Sequence, residues 1–142
     1  MANFDFRQFL RFGIVGTIGV FVDFGILNLL SFLTGIFAGF GVILINSISF
    51  LAAVVNNYLL NKYWTFKSDS SDHAKEFSRA LTVYVGGLII NTGIVYYFTT
   101  VVGPSFGFGP VIWINLAKAI GVGIAMVWNF IGMKFFVFAA KA

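Results

Sequence analysis

Residues 24–61 read FGILNLLSFLTGIFAGFGVILINSISFLAAVVNNYLLN, a stretch without one Asp, Glu, Lys or Arg, and a second uncharged stretch runs from Leu81 to Ala117. An α-helix crosses the hydrocarbon core with about 20 apolar residues, so each stretch is too long for one span and suits two. The fold class that follows is an all-α membrane protein with four transmembrane helices, expected at about 12–33, 40–60, 80–102 and 111–138. Residues 1–142 then make a single transmembrane domain. The first reversal, TGIFAGFG at 34–41, carries glycines that permit a tight turn. The reversal opposite, GPSFGFGP at 103–110, holds both prolines of the chain.

Composition agrees. The chain is 59% hydrophobic and only 10% charged, whereas a soluble domain carries roughly 25% charged residues. It has no cysteine, and its one histidine, His73, sits in a polar segment. Neither a disulfide framework nor a metal centre is expected. The apolar segment after Arg11 is interrupted by Asp23 and has no small-x-small cleavage site behind it, so it reads as a permanent first span rather than a signal peptide.

The net charge of +4 comes from basic residues beside the spans, not from a stripe on a soluble face, so nucleic acid is not an expected partner. Arg7, Arg11, Lys62, Lys67, Lys75, Arg79, Lys134 and Lys141 flank the span ends of one side, and the two turns opposite carry no Lys or Arg. The positive-inside bias puts both termini and the 62–79 loop in the cytoplasm, and the chain in the inner (cytoplasmic) membrane. Tyr63 and Trp64 on that side, with Tyr97 and Trp113 toward the other, are expected in interfacial aromatic belts. The one polar run, KSDSSDHAKEFSR at 67–79, reads as a solvated connector or as a docking site.

The sequence repeats itself. At an offset of 68, Phe9, Arg11, Gly19, Asp23, Gly25 and Ile26 fall on Phe77, Arg79, Gly87, Asn91, Gly93 and Ile94. At an offset of 72, Asn46, Ser49, Ala53, Asn57, Lys62 and Phe66 fall on Lys118, Gly121, Ala125, Asn129, Lys134 and Phe138. Repeat one covers about 9–66 and repeat two about 77–138. Each repeat is a two-span hairpin, so both copies enter the membrane the same way, and a pseudo-two-fold axis along the membrane normal is expected. Asn46, Ser49, Ala53 and Asn57 share one helical face of span two, as Lys118, Gly121, Ala125 and Asn129 do on span four. Small residues on such faces serve helix packing in lipid.

Two charges lie within spans. Counting roughly 1.5 Å per residue from Phe12, Asp23 sits about 16 Å deep. Lys118 sits about 24 Å from Lys134 by the same count, and its flexible stem can close much of the gap. A central charge costs about 2.5 to 3.5 kcal/mol to insert, so both should face the interior and find partners. With their repeat equivalents they predict one polar layer of Asp23, Asn46, Asn91 and Lys118. It reads as a substrate-binding or gating site, or else as a structural ion pair that sets helix register. A second set, Arg11, Lys62, Arg79 and Lys134, marks the cytoplasmic span ends and suits a lipid phosphate, or simply topology and snorkelling. Close carboxylate pairs, a nucleophile with a histidine base, metal-ligand clusters and phosphate-cradling glycine loops are all missing, so neither catalysis nor a cofactor is expected.

The segments FLRFGIVGTIGVFVDFGILNLL (9–30), NNYLLNKYWTF (56–66) and WNFIGMKFFVF (128–138) resemble the GtrA-like family of small four-span membrane proteins. The resemblance covers nearly the whole chain. It implies translocation of an undecaprenyl-phosphate-linked sugar across the cytoplasmic membrane for cell-surface polysaccharide synthesis, beside a membrane glycosyltransferase. The positions it carries over are Arg11, Gly16, Asp23, Asn56, Asn57, Asn61, Lys62, Trp64 and Phe66. A four-span bundle has little room to enclose a sugar, which a homodimer or a groove open to membrane lipids would ease. The alternatives are a non-transporting anchor that recruits the glycosyltransferase through the 67–79 loop, and a proton-driven cation exporter in which Asp23 titrates, a role that Lys118 nearby would oppose.

Overall fold

The computed structural model describes residues 6–60, 63–64 and 73–132. Four helices account for nearly all of them: α1 (Phe6–Thr34), α2 (Phe40–Leu60), α3 (His73–Tyr96) and α4 (Pro110–Gly132). Each contains a segment long and apolar enough to cross a membrane, Gly13–Thr34, Phe40–Leu60, Phe77–Val102 and Pro110–Asn129. The all-helical, four-span architecture expected from the sequence is the one observed, with no strand among the described residues. The chain is a multi-pass membrane protein.

α3 begins at His73, so the second half of the polar 67–79 segment is already helical. At its other end α3 loosens into a π-helical stretch, Tyr97–Val102, in which Gly103 N–H donates to the carbonyl of Phe98 at 3.0 Å. The Phe98 carbonyl also accepts the Trp113 indole N–H at 2.7 Å. Trp113 is thereby buried against the π turn, where the second lone pair of the Phe98 carbonyl takes its one donor. Tyr97 does lie exposed. Gly35 closes α1 with positive φ, its N–H on the Ser31 carbonyl at 2.8 Å. The first reversal is tied to the π-helical end of the third span by the Gly39 N–H on Thr100 Oγ1 at 2.8 Å. Pro110 opens α4 at the position where its missing N–H costs nothing.

The helices run up and down, with the two short connections at one end, the turn end, and the start of α1, the end of α2, the start of α3 and the end of α4 at the other, the loop end. Around the bundle the neighbours are α1/α2, α2/α3, α3/α4 and α4/α1. The hairpin pairs α1/α2 and α3/α4 pack most extensively, α1 and α4 approach each other least, and the diagonal pairs make no close backbone contact among the described residues. Large apolar side chains such as Phe21, Phe32, Leu44, Val55, Ile89 and Met126 point outward, as lipid contact requires.

Inside, the residues segregate by level. Toward the turn end an apolar plug takes Leu27 from α1, Val42 and Ile45 from α2, Val95 from α3 and Ile114 from α4. Toward the loop end the interior is lined by small groups, with Gly19, Ala53, Gly87 and Ala125 all buried. A Cβ on Gly19 would collide with the Asn57 carboxamide, and one on Gly87 would lie 2.6 Å from Asn129 Oδ1. Both glycines thus let an Asn from the paired helix lie against the backbone. These two contacts join positions related by the 68 and 72 offsets.

Candidate functional site

Between plug and small-residue half lies a layer of polar side chains, one or more from every helix. The periodicity of α1 and α3 puts Asp23 and Asn91 on the inner face, and that of α2 and α4 puts Asn46, Ser49 and Lys118 there. Asp23, Asn46, Ser49, Asn91, Thr92 and Lys118 are all buried. Lys118 is the largest wholly enclosed side chain of the molecule's described residues.

Its ammonium is the centre of the layer. Lys118 Nζ forms an ion pair with Asp23 Oδ1 at 2.6 Å and donates to Asn46 Oδ1 at 2.7 Å. Longer contacts reach Asn91 Oδ1 at 3.3 Å and Ser49 Oγ at 3.5 Å. Asn46 Nδ2 in turn donates to Asn91 Oδ1 at 2.8 Å and to Thr92 Oγ1 at 2.9 Å. Ser49 Oγ donates to the Asn46 carbonyl at 2.9 Å, which leaves its lone pairs facing the ammonium. One cation thus touches α1, α2 and α3 from α4. The charges within the layer cancel, as a pair held at bilayer depth must.

The four residues expected to form one polar layer are therefore brought together. Their contacts also follow the repeat: Asp23·Lys118 joins α1 to α4, and Asn91·Asn46 joins the equivalent positions of α3 and α2. Thr92 and Ser49 complete the network, and Thr92 had no signal in the repeat, because its equivalent is Phe24.

The layer is not fully satisfied. Asn91 Nδ2 is buried without a hydrogen-bond partner, and so, toward the loop end, are Asn56 Nδ2, Asn57 Oδ1 and Asn129 Oδ1. A buried amide atom left unpaired costs about 1 to 3 kcal/mol. Their number along one half of the interior gives that half a standing capacity to bond a polar guest or water.

Of the basic set expected at the loop end, Arg11 and Arg79 are among the described residues. Arg11 Nη1 donates to the Trp64 carbonyl at 3.1 Å, and its guanidinium carbon lies 5.6 Å from the centroid of the Trp64 ring. Arg11 and Trp64 thus clamp α1 to the chain that leaves α2. Arg79, its repeat equivalent, is exposed. Lys62, Lys134, Asn61 and Phe66 lie outside the described residues. Asn56 and Asn57 are half-buried on α2. Gly16 has open space where a side chain would be. On the second hairpin Trp128 lies against Gly86, and its indole N–H donates to the Val83 carbonyl at 3.0 Å. No group of His, Cys, Asp and Glu among the described residues is placed to hold a metal ion.

One further polar contact escaped the sequence reading, a reciprocal amide pair between Asn28 on α1 and Asn115 on α4. Asparagine inside an apolar span demands a partner, and that demand was the available signal.

No curated protein and no solved structure matches the chain. A family model described as the GtrA/DPMS transmembrane domain matches residues 11–138, from the clamp arginine of α1 through all four helices. Four membrane-length helices around a shared polar layer and a match over that whole extent lead to one conclusion: the chain belongs to the GtrA/DPMS transmembrane-domain family.

Proposed function

We propose that this protein translocates a polyprenyl-phosphate-linked sugar, of the undecaprenyl type, across the cytoplasmic membrane for cell-surface polysaccharide glycosylation. The observation that carries the reading is the buried polar layer around Lys118 at bilayer depth, continued toward the loop end by unpaired amides. Moving such a lipid requires bonds for a phosphate and hydroxyls inside the membrane while the prenyl chain stays among lipid tails. Lys118 supplies a cation for the phosphate, with Asp23 as its resting counter-ion, and Asn46, Asn91, Asn56, Asn57 and Asn129 supply donors and acceptors for hydroxyls.

In this reading the loop end, with Arg11, Lys62, Arg79 and Lys134, faces the cytoplasm by the positive-inside bias, and the basic set meets the lipid phosphate there. The two hairpins are related by a pseudo-two-fold axis that passes through the polar layer, and the headgroup moves without covalent chemistry. A membrane glycosyltransferase supplies the charged carrier, and a homodimer would enlarge the lipid-facing surface available to the prenyl chain.

The test is reconstitution. Liposomes holding a labelled polyprenyl-phosphate sugar are followed for movement between leaflets with wild type, Asp23→Asn and Lys118→Ala. Movement by wild type that both folded variants lose supports translocation through the layer. Absence of movement beyond protein-free liposomes transfers the role to recruitment of a glycosyltransferase, a reading favoured by the exposed Lys75 and Arg79 at the start of α3.

A further inference from the structure

The α1/α4 seam differs in kind from its repeat equivalent. α1 and α4 approach each other least of the neighbouring helices, and side chains do the joining. One link is Asp23·Lys118. The other, nearer the turn end on the same two helices, is Asn28·Asn115, in which each Nδ2 donates to the other's Oδ1 at 2.7 Å. Asn28 Nδ2 also reaches the Phe24 carbonyl and Asn115 Nδ2 the Val111 carbonyl, both at 2.8 Å. Both residues are half-buried, so the pair sits where the bundle interior meets its surroundings.

On the α2/α3 seam the equivalent positions are Tyr96 and Ile43, which form no amide pair, and there the backbones come closer. The polar latch is thus a feature of one seam only. Its chemistry is that of exchange. A carboxamide offers a donor and an acceptor together, as a sugar hydroxyl does, so two amides that satisfy each other can trade their mutual bonds for two hydroxyls without losing any. An ion pair likewise exchanges a carboxylate for a phosphate. Both links across this seam are replaceable by the two parts of a sugar-phosphate headgroup, and their spacing follows the helices from Lys118 back to Asn115 and from Asp23 on to Asn28.

We infer that Asn28 and Asn115 form a hydroxyl-binding site for the sugar and the latch of the α1/α4 seam, which parts to let the headgroup through. This rests on the translocation reading. The phosphate exchanges with Asp23 at Lys118, the freed carboxylate accepts a sugar hydroxyl, and two further hydroxyls come between Asn28 and Asn115, one bonding each amide.

The experiment uses the full chain, whose lack of cysteine makes Asn28→Cys/Asn115→Cys the sole thiol pair. Transport of the labelled polyprenyl-phosphate sugar is measured in liposomes for wild type, for this pair reduced and oxidised, and for Asn28→Leu/Asn115→Leu. The leucine pair keeps an apolar contact of similar size, and its folding is checked by its unfolding temperature. We expect the leucine pair to fold and to move the lipid at least about tenfold more slowly, as loss of the hydroxyl partners requires. The reduced thiol pair, which also lacks the amides, is slowed like the leucine pair but still moves lipid faster than protein-free liposomes; oxidation abolishes that remaining movement, and renewed reduction restores it. A leucine pair with the wild-type rate, or a cross-linked seam that still transports, overturns the inference and leaves translocation standing. Wild type that moves no more lipid than protein-free liposomes overturns both.

Discussion

Lys118 and Asn46, equivalent residues of the two repeats, hydrogen-bond to each other at 2.7 Å across a diagonal along which their helices make no close backbone contact. The lysine stem spans what two short side chains could not. Had both repeats kept asparagine, the centre would be a pair of amides; with lysine on one side, the centre needs an anion, and Asp23 meets the need where the other repeat has Asn91. The charge pair is thus one coupled difference between the two repeats of the sequence.

Removing either charge alone should be worse than removing both. Lys118→Met leaves Asp23 buried and unpaired, at a cost of about 3 to 5 kcal/mol by analogy with other buried pairs. The double variant Asp23→Leu/Lys118→Met is expected to recover most of that stability while remaining inactive in transport. A double-mutant cycle of unfolding in detergent micelles checks this, and additive losses would contradict it.

Gly19→Ala and Gly87→Ala each push a methyl group into the Asn57 or Asn129 carboxamide. An overpacked contact of this kind costs about 1 to 3 kcal/mol. Gly16→Ala, with nothing near its new Cβ, should change stability by less than about 0.5 kcal/mol. Thermal unfolding of the three variants side by side reads the difference, and adding Asn57→Ala to Gly19→Ala should restore part of the loss.

Arg11→Ala should loosen the loop end by about 1 kcal/mol, through the lost bond to the Trp64 carbonyl and the lost ring contact. Arg11→Lys is not expected to rescue it, since an ammonium lacks the planar fork that serves carbonyl and ring together. Rates of proteolysis in the segment after Trp64 report the change, and equal rates in wild type and Arg11→Ala would count against the clamp.

Trp113→Phe keeps the ring and deletes the donor to Phe98. The Phe98 carbonyl retains Gly103 N–H, so the expected loss is about 1 kcal/mol, with lipid movement unchanged. Unfolding temperature and transport measured on one preparation separate the two effects.

The four spans were legible because the energetics of burying backbone in lipid leave so few solutions. The polar layer was legible for a different reason: Asp23, Asn46, Asn91 and Lys118 occupy matching places in a repeated pattern, and pattern survives without coordinates. Asn28, Asn115 and Thr92 have Tyr96, Ile43 and Phe24 as their equivalents, so self-comparison was silent about them. The burial of Trp113 was not legible, because an aromatic near a span end suits either the lipid boundary or a local carbonyl. The π turn decided between them, and hydropathy contains nothing about it. Arg11 was read as one of four basic span ends, suited to a lipid phosphate or to topology and snorkelling, and its engagement with Trp64 left no mark in the spacing of the sequence.

The apolar plug beside the charge pair acts as a seal. Leu27, Val42, Ile45, Val95 and Ile114 pack together on the turn side of Lys118 and offer water or an ion no hydrogen-bond partner. An ion at that level would shed its hydration with nothing to replace it, so the bundle axis of the resting protein is closed to leaks.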